Sequence, residues 1–261
     1  MPSINVRRDT LDQENARFQQ TPLTRSIFLN SVPKSGSHLL RNIMRMFVPA
    51  YQQYQDQFIQ FGNMQEHLVA FDRDRPSLSW GHLFFTDSSA IETSHLRRIL
   101  LYRDPYDWVL ARARFFLSEE FSGNIDHLKQ GTLSIDDLLS LMIFGIYQKA
   151  PPMADIYEMN AVAWLAGVHH VIRYEELVRH VKALKTDEAA EFFESLLQAC
   201  GIERPDDWRE RVQVGSDRRQ SATASENLTG IGVTLPDELP AAHRRQVDAA
   251  APGLRAALGY A

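Results

Sequence analysis

The chain has 261 residues, a formal net charge of −5 and an apolar fraction of 44%, which is ordinary for a soluble globular protein. The acidic balance argues against a broad nucleic-acid-binding surface, because such surfaces need an excess of basic residues. The one cysteine, Cys200, excludes a disulfide within the chain, which fits a reducing compartment. Its apolar neighbours in the sequence predict a small buried side chain rather than a nucleophile.

The first 25 residues are polar and contain no apolar stretch of the kind that forms a secretory signal. No window of the chain approaches about 18 uninterrupted apolar residues, so the sequence predicts no membrane-spanning helix. We therefore expect a cytoplasmic protein that forms a single domain over residues 1–261, with residues 1–25 as a surface arm.

Short apolar runs alternate with longer helical patterns along the chain. Buried strands are predicted at residues 26–32, 77–82, 97–103 and 169–174. Helices are predicted at residues 37–47, 106–118, 134–148, 155–166, 186–200 and 241–258. This alternation favours a three-layer α/β fold with a parallel central sheet flanked by helices. The stretch 215–240 is rich in small polar residues, and its length predicts either a functional lid or an ordered loop that contacts a ligand.

Between the first strand and the first helix the chain reads PKSGS, residues 33–37. A helix N-terminus presents unpaired N–H groups and a partial positive charge, and a turn at Gly36 can wrap those groups around a phosphate. Ser35 and Ser37 add hydroxyl donors, and Lys34 adds a positive charge. The pattern predicts an anion cradle, although its spacing is not that of a Walker A motif. A structural turn with a solvated lysine is the alternative.

The strand predicted at 97–103 ends in Arg103, and Asp104 and Pro105 then begin a helix. A charged residue at the carboxyl end of a parallel strand faces the crevice where ligands bind in such sheets. An ion pair of Arg103 with Asp104 or Asp107 is the alternative. Two anion sites at separate strand ends predict a ligand with two separated phosphate groups.

Four segments in this order, SVPKSGSHLL, SWGHLFF, ILLYRDPYDWVLA and VIRYEELV, resemble motifs of the sulfotransferases that use 3′-phosphoadenosine 5′-phosphosulfate (PAPS). The resemblance covers roughly residues 26 to 230. It implies the sulfotransferase fold, which is related to the P-loop nucleotide kinases. It also implies PAPS as the sulfuryl donor, 3′,5′-diphosphoadenosine (PAP) as the product, and no metal ion.

The resemblance also implies roles for individual residues. Lys34 would sit on the 5′-phosphosulfate and stabilise charge on the bridging oxygen. His82 would be the general base toward the acceptor, although His38 could also contact the sulfuryl group. Arg103 would hold the 3′-phosphate, and Tyr174 would lie near the adenine. The remaining donors of the cradle would come from Ser35, Gly36, Ser37 and His38.

The match departs from the family pattern where the 3′-phosphate should bind. Ala111 replaces a serine, and Ser225, Glu226 and Asn227 stand where Arg, Lys and Gly are expected. We hypothesise that one of two arginine pairs compensates, namely Arg218 with Arg219 or Arg112 with Arg114. Leu39 replaces the usual tryptophan of the loop, so adenine stacking must come from elsewhere. The candidates for it are Trp80, Phe84 and Phe85.

The expected acceptor is a small molecule or a sugar that carries a hydroxyl or an amine. Aromatic residues within 50–75 and 115–160 are candidates for the walls of its pocket. We expect no nucleic acid and no membrane as partners, and the oligomeric state stays unpredicted. Two other readings remain open: a nucleotide-binding or scaffold protein with a degenerate site, and a metabolite kinase of P-loop-like fold.

Overall fold

The computed structural model of the chain describes residues 3–4, 9–55, 58–119, 121–220 and 234–260. The strands are β1 (Ser3–Ile4), β2 (Ile27–Ser31), β3 (Ile59–Gln60), β4 (Leu78–His82), β5 (Arg97–Tyr102), β6 (Phe121–Ser122) and β7 (His170–Arg173). The helices are α1 (Leu11–Asn15), α2 (Ser37–Arg45), α3 (Asp87–Glu92), α4 (Pro105–Leu117), α5 (Ile135–Phe144), α6 (Met153–Asn160), α7 (Tyr174–Lys182), α8 (Asp187–Cys200), α9 (Trp208–Gly215), α10 (Ala241–Ala250) and α11 (Leu254–Ala257).

The described residues form two compact units. The sheet unit contains those within Arg8–Tyr102 and Met159–Ser221. The helical unit contains those within Met1–Arg7, Arg103–Glu158 and Ala222–Ala261. The expectation of a single domain over residues 1–261 stays a prediction.

A five-stranded parallel sheet organises the sheet unit, with the strand order β3-β4-β2-β5-β7. Ile27 at the start of β2 lies opposite Leu78 of β4 and Arg97 of β5, so the strands begin together and end together. The central strand β2 is buried along its whole length, which explains why it reads as a nearly continuous apolar run. The predicted α/β fold with a parallel sheet and flanking helices is confirmed.

Alternate side chains of the strands face opposite sides of the sheet. Ile27 and Leu29 pack with α2 and α8 in one core, where Ile43 and Phe193 are fully buried. On the other face the ring of Phe28 meets the ring of Phe71 edge-on, with centroids 5.6 Å apart. The apolar residues of α2 recur at helical spacing, which gives this helix one face for the core.

Of the predicted surface arm (residues 1–25), residues 3–4 form β1, and residues 9–25 pack into the sheet unit instead of forming an arm. Leu11, Phe18 and Leu23 are buried in the core of the sheet unit. Asn15 is also buried, and its amide donates to two backbone carbonyls at the end of α2, at 2.6 and 2.9 Å. Three apolar anchors in a polar segment show no clear periodicity, so the sequence pattern does not reveal their burial.

In the helical unit, α4 packs with α5 and α10. The carboxylate of Asp104 caps α4 by accepting from the N–H of Tyr106 at 3.0 Å, and Pro105 occupies the first helical position. Arg255 of α11 pairs with Asp104 at 3.0 Å. The ring of Trp108 packs edge-on against Tyr157, with centroids 5.5 Å apart.

The helices end earlier than several sequence patterns predict. The pattern at 134–148 stops at Phe144, because Gly145 has a φ of +85°. The pattern at 155–166 divides into α6 and a 3₁₀ helix at Val162–Gly167, and the pattern at 241–258 divides into α10 and α11. Within the described ranges, no helix combines the length and the apolar character needed to cross a membrane.

Candidate active site

The carboxyl ends of the parallel strands bring distant segments of the sheet unit to one edge. The PKSGS loop (residues 33–37) leaves β2 at this edge, and His82 is the last residue of β4. Tyr174 follows β7 at the same edge and begins α7. The paired residues Asn30 and Gly81 lie one position before the ends of β2 and β4, so Ser31 and His82 end together.

The PKSGS loop has an unusual backbone. Lys34 has a φ of +65° and Gly36 a φ of +93°, so two left-handed residues lie two positions apart. A left-handed conformation at a non-glycine residue costs on the order of 1–2 kcal/mol, and such turns direct successive N–H groups into a concave anion site. Gly36 is also the N-cap of α2, and no side chain caps this helix. The first N–H groups of α2 therefore remain available for an anion.

A buried hydroxyl in the loop lacks a partner. Ser35 is fully buried, and its Oγ finds no hydrogen-bond partner among the described residues. Leaving such a group unpaired costs about 1–3 kcal/mol, so an acceptor bound in the loop would recover this energy. The uncapped N–H groups, the orphaned hydroxyl and the charge of Lys34 together fit an anionic group.

Tyr174 lies directly against the loop. A Cβ atom placed on Gly36 would lie 2.5 Å from Cδ2 of the Tyr174 ring. Only glycine at position 36 allows this approach, which fixes the ring beside the N-terminus of α2. The predicted site residues Gly36 and Tyr174 are therefore neighbours in the structure.

The hydrogen bonds of His82 define its tautomer. Nδ1 lies 2.8 Å from the backbone carbonyl oxygen of Ser31. Because a carbonyl can only accept, Nδ1 carries the hydrogen in the neutral ring, and Nε2 keeps its lone pair. The pKa of His82 is lowered to about 4. Burial is the main cause and the charge of Lys34 adds to it, whereas the hydrogen bond to the Ser31 carbonyl acts in the opposite direction. His82 is therefore a neutral imidazole at pH 7, with Nε2 able to accept a proton.

Ser31 connects His82 to the loop and was not among the residues predicted from the sequence. Its Oγ lies 2.8 Å from Oγ of Ser37 and 3.2 Å from Nδ1 of His82. The one sequence signal for it is its position near the end of the strand predicted at 26–32, just before the PKSGS loop. A hydroxyl there ties the orientation of the imidazole to the conformation of the loop.

His38, the second candidate histidine, is also neutral. Burial lowers its pKa to about 3, and the charges of Arg41 and Lys34 add to the effect. Its Nδ1 is buried and without a partner in the described part of the chain, and its ring packs edge-on against Trp80 at 4.9 Å. The charge of Lys34 thus contributes to the lowered pKa of both His38 and His82.

Arg103 belongs to the helical unit and directly follows the last residue of β5. Its carbonyl oxygen accepts a hydrogen bond from the hydroxyl of Tyr157 at 2.8 Å. The neighbouring Asp104 is bound by Arg255 through two contacts of 3.1 and 3.0 Å. The carbonyl of Arg103 and the side chain of the next residue are thus held by contacts within the helical unit.

The two arginine pairs proposed to replace lost phosphate contacts differ in their surroundings. Arg112 is buried and donates to the carbonyl oxygens of Met142 and Pro151 at 2.8 and 2.7 Å, which argues against a role for it on phosphate. Arg219 is bound to Asp217, yet its side chain is 89% exposed. Residues 225–227 lie outside the described residues.

The hydrogen bonds of Gln220 hold the turn that contains Arg218 and Arg219. The amide of Asn42 on α2 donates to the carbonyl oxygen of Gln220 at 3.2 Å. The side chain of Gln220 also exchanges two hydrogen bonds with Thr10. The turn Arg218–Gln220 therefore lies against the helix that begins at the PKSGS loop.

Two other features of the sequence have structural counterparts. Cys200 is buried, and burial raises the pKa of its thiol to about 12. The thiol therefore stays protonated, as expected for an unreactive residue of the core. Among the residues that the structure describes, no group of three or more His, Cys, Asp or Glu side chains is arranged to bind a metal ion.

Comparison with solved structures identifies the fold. The crystal structure of mouse sulfotransferase SULT7A1 complexed with PAP superposes with a TM-score of 0.60, covering 96% of this chain and 93% of that chain at 16% identity. This chain has the sulfotransferase fold. No protein-family model and no curated protein sequence matches it.

This likeness confirms the sulfotransferase fold that four short motifs predicted. At 16% identity it concerns the fold alone. The roles assigned to individual residues stay predictions. Of the predicted residues, the sheet unit gathers Lys34, Ser35, Gly36, Ser37, His38, His82 and Tyr174 at the carboxyl edge of its sheet.

Proposed function

We propose that this protein is a sulfotransferase that moves a sulfuryl group from PAPS to a hydroxyl or amine of a small molecule or sugar. The observation that carries the proposal is the meeting of Lys34 and His82 at one edge of the sheet. A cationic loop with unclaimed N–H groups stands beside a neutral histidine whose Nε2 can take a proton. These are the two functions that the reaction requires of the protein, namely charge stabilisation and proton removal.

The PKSGS loop would hold the 5′-phosphosulfate of the donor. The N–H groups at the start of α2 and the hydroxyl of Ser35 would donate to its oxygens. Lys34 would neutralise the charge that develops on the bridging oxygen as the sulfur–oxygen bond breaks. Fixed donors of this kind stabilise a transition state without reorganising, so no metal ion is needed for this role.

His82 would act as the general base. Nε2 would take the proton of the acceptor, and the Nδ1–H bond to the Ser31 carbonyl would stabilise the imidazolium that forms. The hydroxyl of Ser31 would keep the ring aligned with the loop through Ser37. His38 has no comparable hydrogen bond on Nδ1, which favours His82 for this role.

The 3′-phosphate and the adenine would be held outside the PKSGS loop. We assign the 3′-phosphate to Arg218 and Arg219, in place of the arginine and lysine that the family has in its late loop. This assignment is supported by the exposed guanidinium of Arg219 and by the hydrogen bonds that fix its turn beside α2. The role of Arg103 on this phosphate stays the prediction that the resemblance implies. Tyr174, whose ring lies on Gly36, would contact the adenosine.

The test combines binding and turnover. Calorimetry should detect PAP binding, and incubation with ³⁵S-labelled PAPS and a panel of phenols, sugars and amines should label at least one acceptor. Lys34→Ala and His82→Ala should each reduce the rate by at least a hundredfold, while circular dichroism shows a retained fold.

The same assays separate the alternatives. PAP binding without labelling of any acceptor would favour a degenerate nucleotide-binding protein. Binding of ATP with Mg²⁺, in place of PAP, would favour a kinase. A near-normal rate in His82→Ala would remove the assignment of the base.

A further inference from the structure

Arg41 has an unused set of hydrogen-bond donors close to the candidate active site. It lies one turn into α2, three residues after His38, and is only partly exposed. Its guanidinium carbon lies 4.9 Å from the centroid of the Trp80 indole. No acceptor among the described residues takes a hydrogen bond from it. A guanidinium fixed on an aromatic face with its donors unclaimed is a typical recognition element for an oxyanion.

The carboxylates nearest to Arg41 are already engaged elsewhere. Asp9 and Asp12 both pair with Arg45, at 2.8 and 2.7 Å, and Arg45 is buried. Asp12 also accepts from the amide of Gln55. These two carboxylates compensate Arg45, so the charge and the five donors of Arg41 remain for another group.

An aromatic wall connects Arg41 to the proposed base. Phe58 packs between Trp80 and His82, with ring centroids 5.8 Å and 5.6 Å away. His38 lies against the same indole and keeps a buried Nδ1 without a partner in the described chain. The guanidinium of Arg41 and Nδ1 of His38 therefore both lie near the buried indole of Trp80, and the half-buried ring of Phe58 connects this indole to the ring of His82.

We propose that Arg41 is a specificity-determining residue that binds an anionic group, such as a carboxylate, on the acceptor. The acceptor would lie along the half-buried ring of Phe58, with its anionic group on Arg41 and its hydroxyl or amine at His82. This inference rests on the proposed function. It narrows the acceptor class from any hydroxyl- or amine-bearing metabolite to one that carries an oxyanion at a defined distance from the reacting oxygen or nitrogen.

The strand geometry sets that distance. Trp80 and His82 lie two residues apart on β4, so their Cα atoms are separated by roughly 7 Å. The guanidinium lies over the indole, which places the oxyanion on the order of 7–10 Å from the reacting oxygen or nitrogen. A para-substituted phenol with a short acidic side chain has this length.

The probes are 4-hydroxyphenylacetate and its neutral isostere 4-hydroxyphenylacetamide, titrated by calorimetry with and without saturating PAP. The wild-type protein should bind the carboxylate at least tenfold more tightly than the amide. Arg41→Gln should reduce this preference below twofold while leaving the affinities for the amide and for PAP unchanged. Arg209→Gln is the matched control, because Arg209 is an exposed arginine 4.6 Å from the indole centroid of Trp208, and it should keep the full preference.

Three results would overturn the inference: equal binding of the two probes by the wild-type protein, a preference that survives in Arg41→Gln, or a loss of PAP affinity in that variant. The first of these needs no variant, so the inference stays testable if Arg41→Gln does not fold. Failure of PAP to bind the wild-type protein would contradict the proposed function instead, and the titrations without PAP would still decide the role of Arg41.

Discussion

The chemistry of the candidate site depends on neutral histidines. A free imidazole is largely protonated below its ordinary pKa of about 6.5 and is then unable to act as a base. Burial disfavours the charged form of His82, and the bond from Nδ1 to the Ser31 carbonyl assigns the lone pair to Nε2. At the scale of one residue, the surrounding protein thus keeps the proposed base neutral before any substrate is present.

The pH dependence of turnover tests this preparation. Because the pKa of His82 is lowered to about 4, kcat/KM for PAPS should stay constant from pH 8 to pH 6 and fall only near pH 4 to 5. The parameter kcat/KM reports the free enzyme, so a bound donor does not displace this value. To separate titration from unfolding, the enzyme is preincubated at each pH and its initial rate is then also measured at pH 7.5. A rate that recovers at pH 7.5 indicates titration, and a rate that does not recover indicates unfolding. An inflection at pH 6.5 or above would contradict the lowered pKa.

The junction of β2 and α2 is the element on which the site depends. A left-handed residue at Lys34 and another at Gly36 turn the chain so that α2 starts with its N–H groups at the sheet edge. Tyr174, which begins α7, then packs against the turn. Two strand-to-helix junctions that are far apart in sequence support one another here.

Replacing Gly36 should disrupt this junction. In Gly36→Ala, the left-handed backbone costs on the order of 1–2 kcal/mol, and the new Cβ would lie 2.5 Å from the Tyr174 ring. Urea denaturation should show a loss of at least that size in the free energy of unfolding, and calorimetry should show at least a tenfold weaker affinity for PAP. Gly62→Ala is the matched control, because no atom lies within 4 Å of its new Cβ. Wild-type PAP affinity in Gly36→Ala would contradict the assigned role of the junction.

At the scale of the whole molecule, the parallel register assembles the site. His82 and Tyr174 are separated by more than 90 positions, yet both lie at the edge where the PKSGS loop leaves β2. Strands that start in line also end in line, so each carboxyl end delivers a side chain to the same place. Two histidines of the candidate site are buried at this edge, and burial lowers the pKa of His38 to about 3 and that of His82 to about 4.

These histidines predict that the fold loses stability in mild acid. In the unfolded chain they bind protons as the pH falls through about 6.5, whereas in the folded protein the pKa values of about 3 for His38 and about 4 for His82 keep both rings neutral down to pH 5. The unfolded state therefore binds more protons, and the free energy of unfolding should decrease from pH 7.5 to pH 5. Urea denaturation at several pH values measures the slope.

Two variants test the origin of that slope. His38→Phe removes one buried group and should give a smaller slope, whereas substitution of the exposed His127 by Asn should leave it unchanged. A wild-type stability that is constant over this pH range would contradict the prediction.

Much of the architecture could be read from local patterns. Strands β2, β4, β5 and β7 were predicted within about one residue, because buried parallel strands are short apolar runs bounded by turn residues. Pro105 and Gly36 marked the starts of α4 and α2 for reasons of backbone geometry alone. The PKSGS loop and His82 were found because small residues, a lysine and a histidine stood at predicted strand ends.

Contacts between distant segments decided the rest. The two-residue strand β3 exists only through its pairing with β4, and the polar segment around Leu11 is buried only because the core has a place for it. The tautomer of His82 depends on the carbonyl of Ser31, 51 positions away, and the free donors of Arg41 depend on Arg45 having taken both nearby carboxylates. Residue type and spacing determined which groups are available for chemistry. The protonation state, hydrogen-bond partners and orientation of these groups depend on long-range packing, because burial and hydrogen bonding arise only when the strands and helices come together.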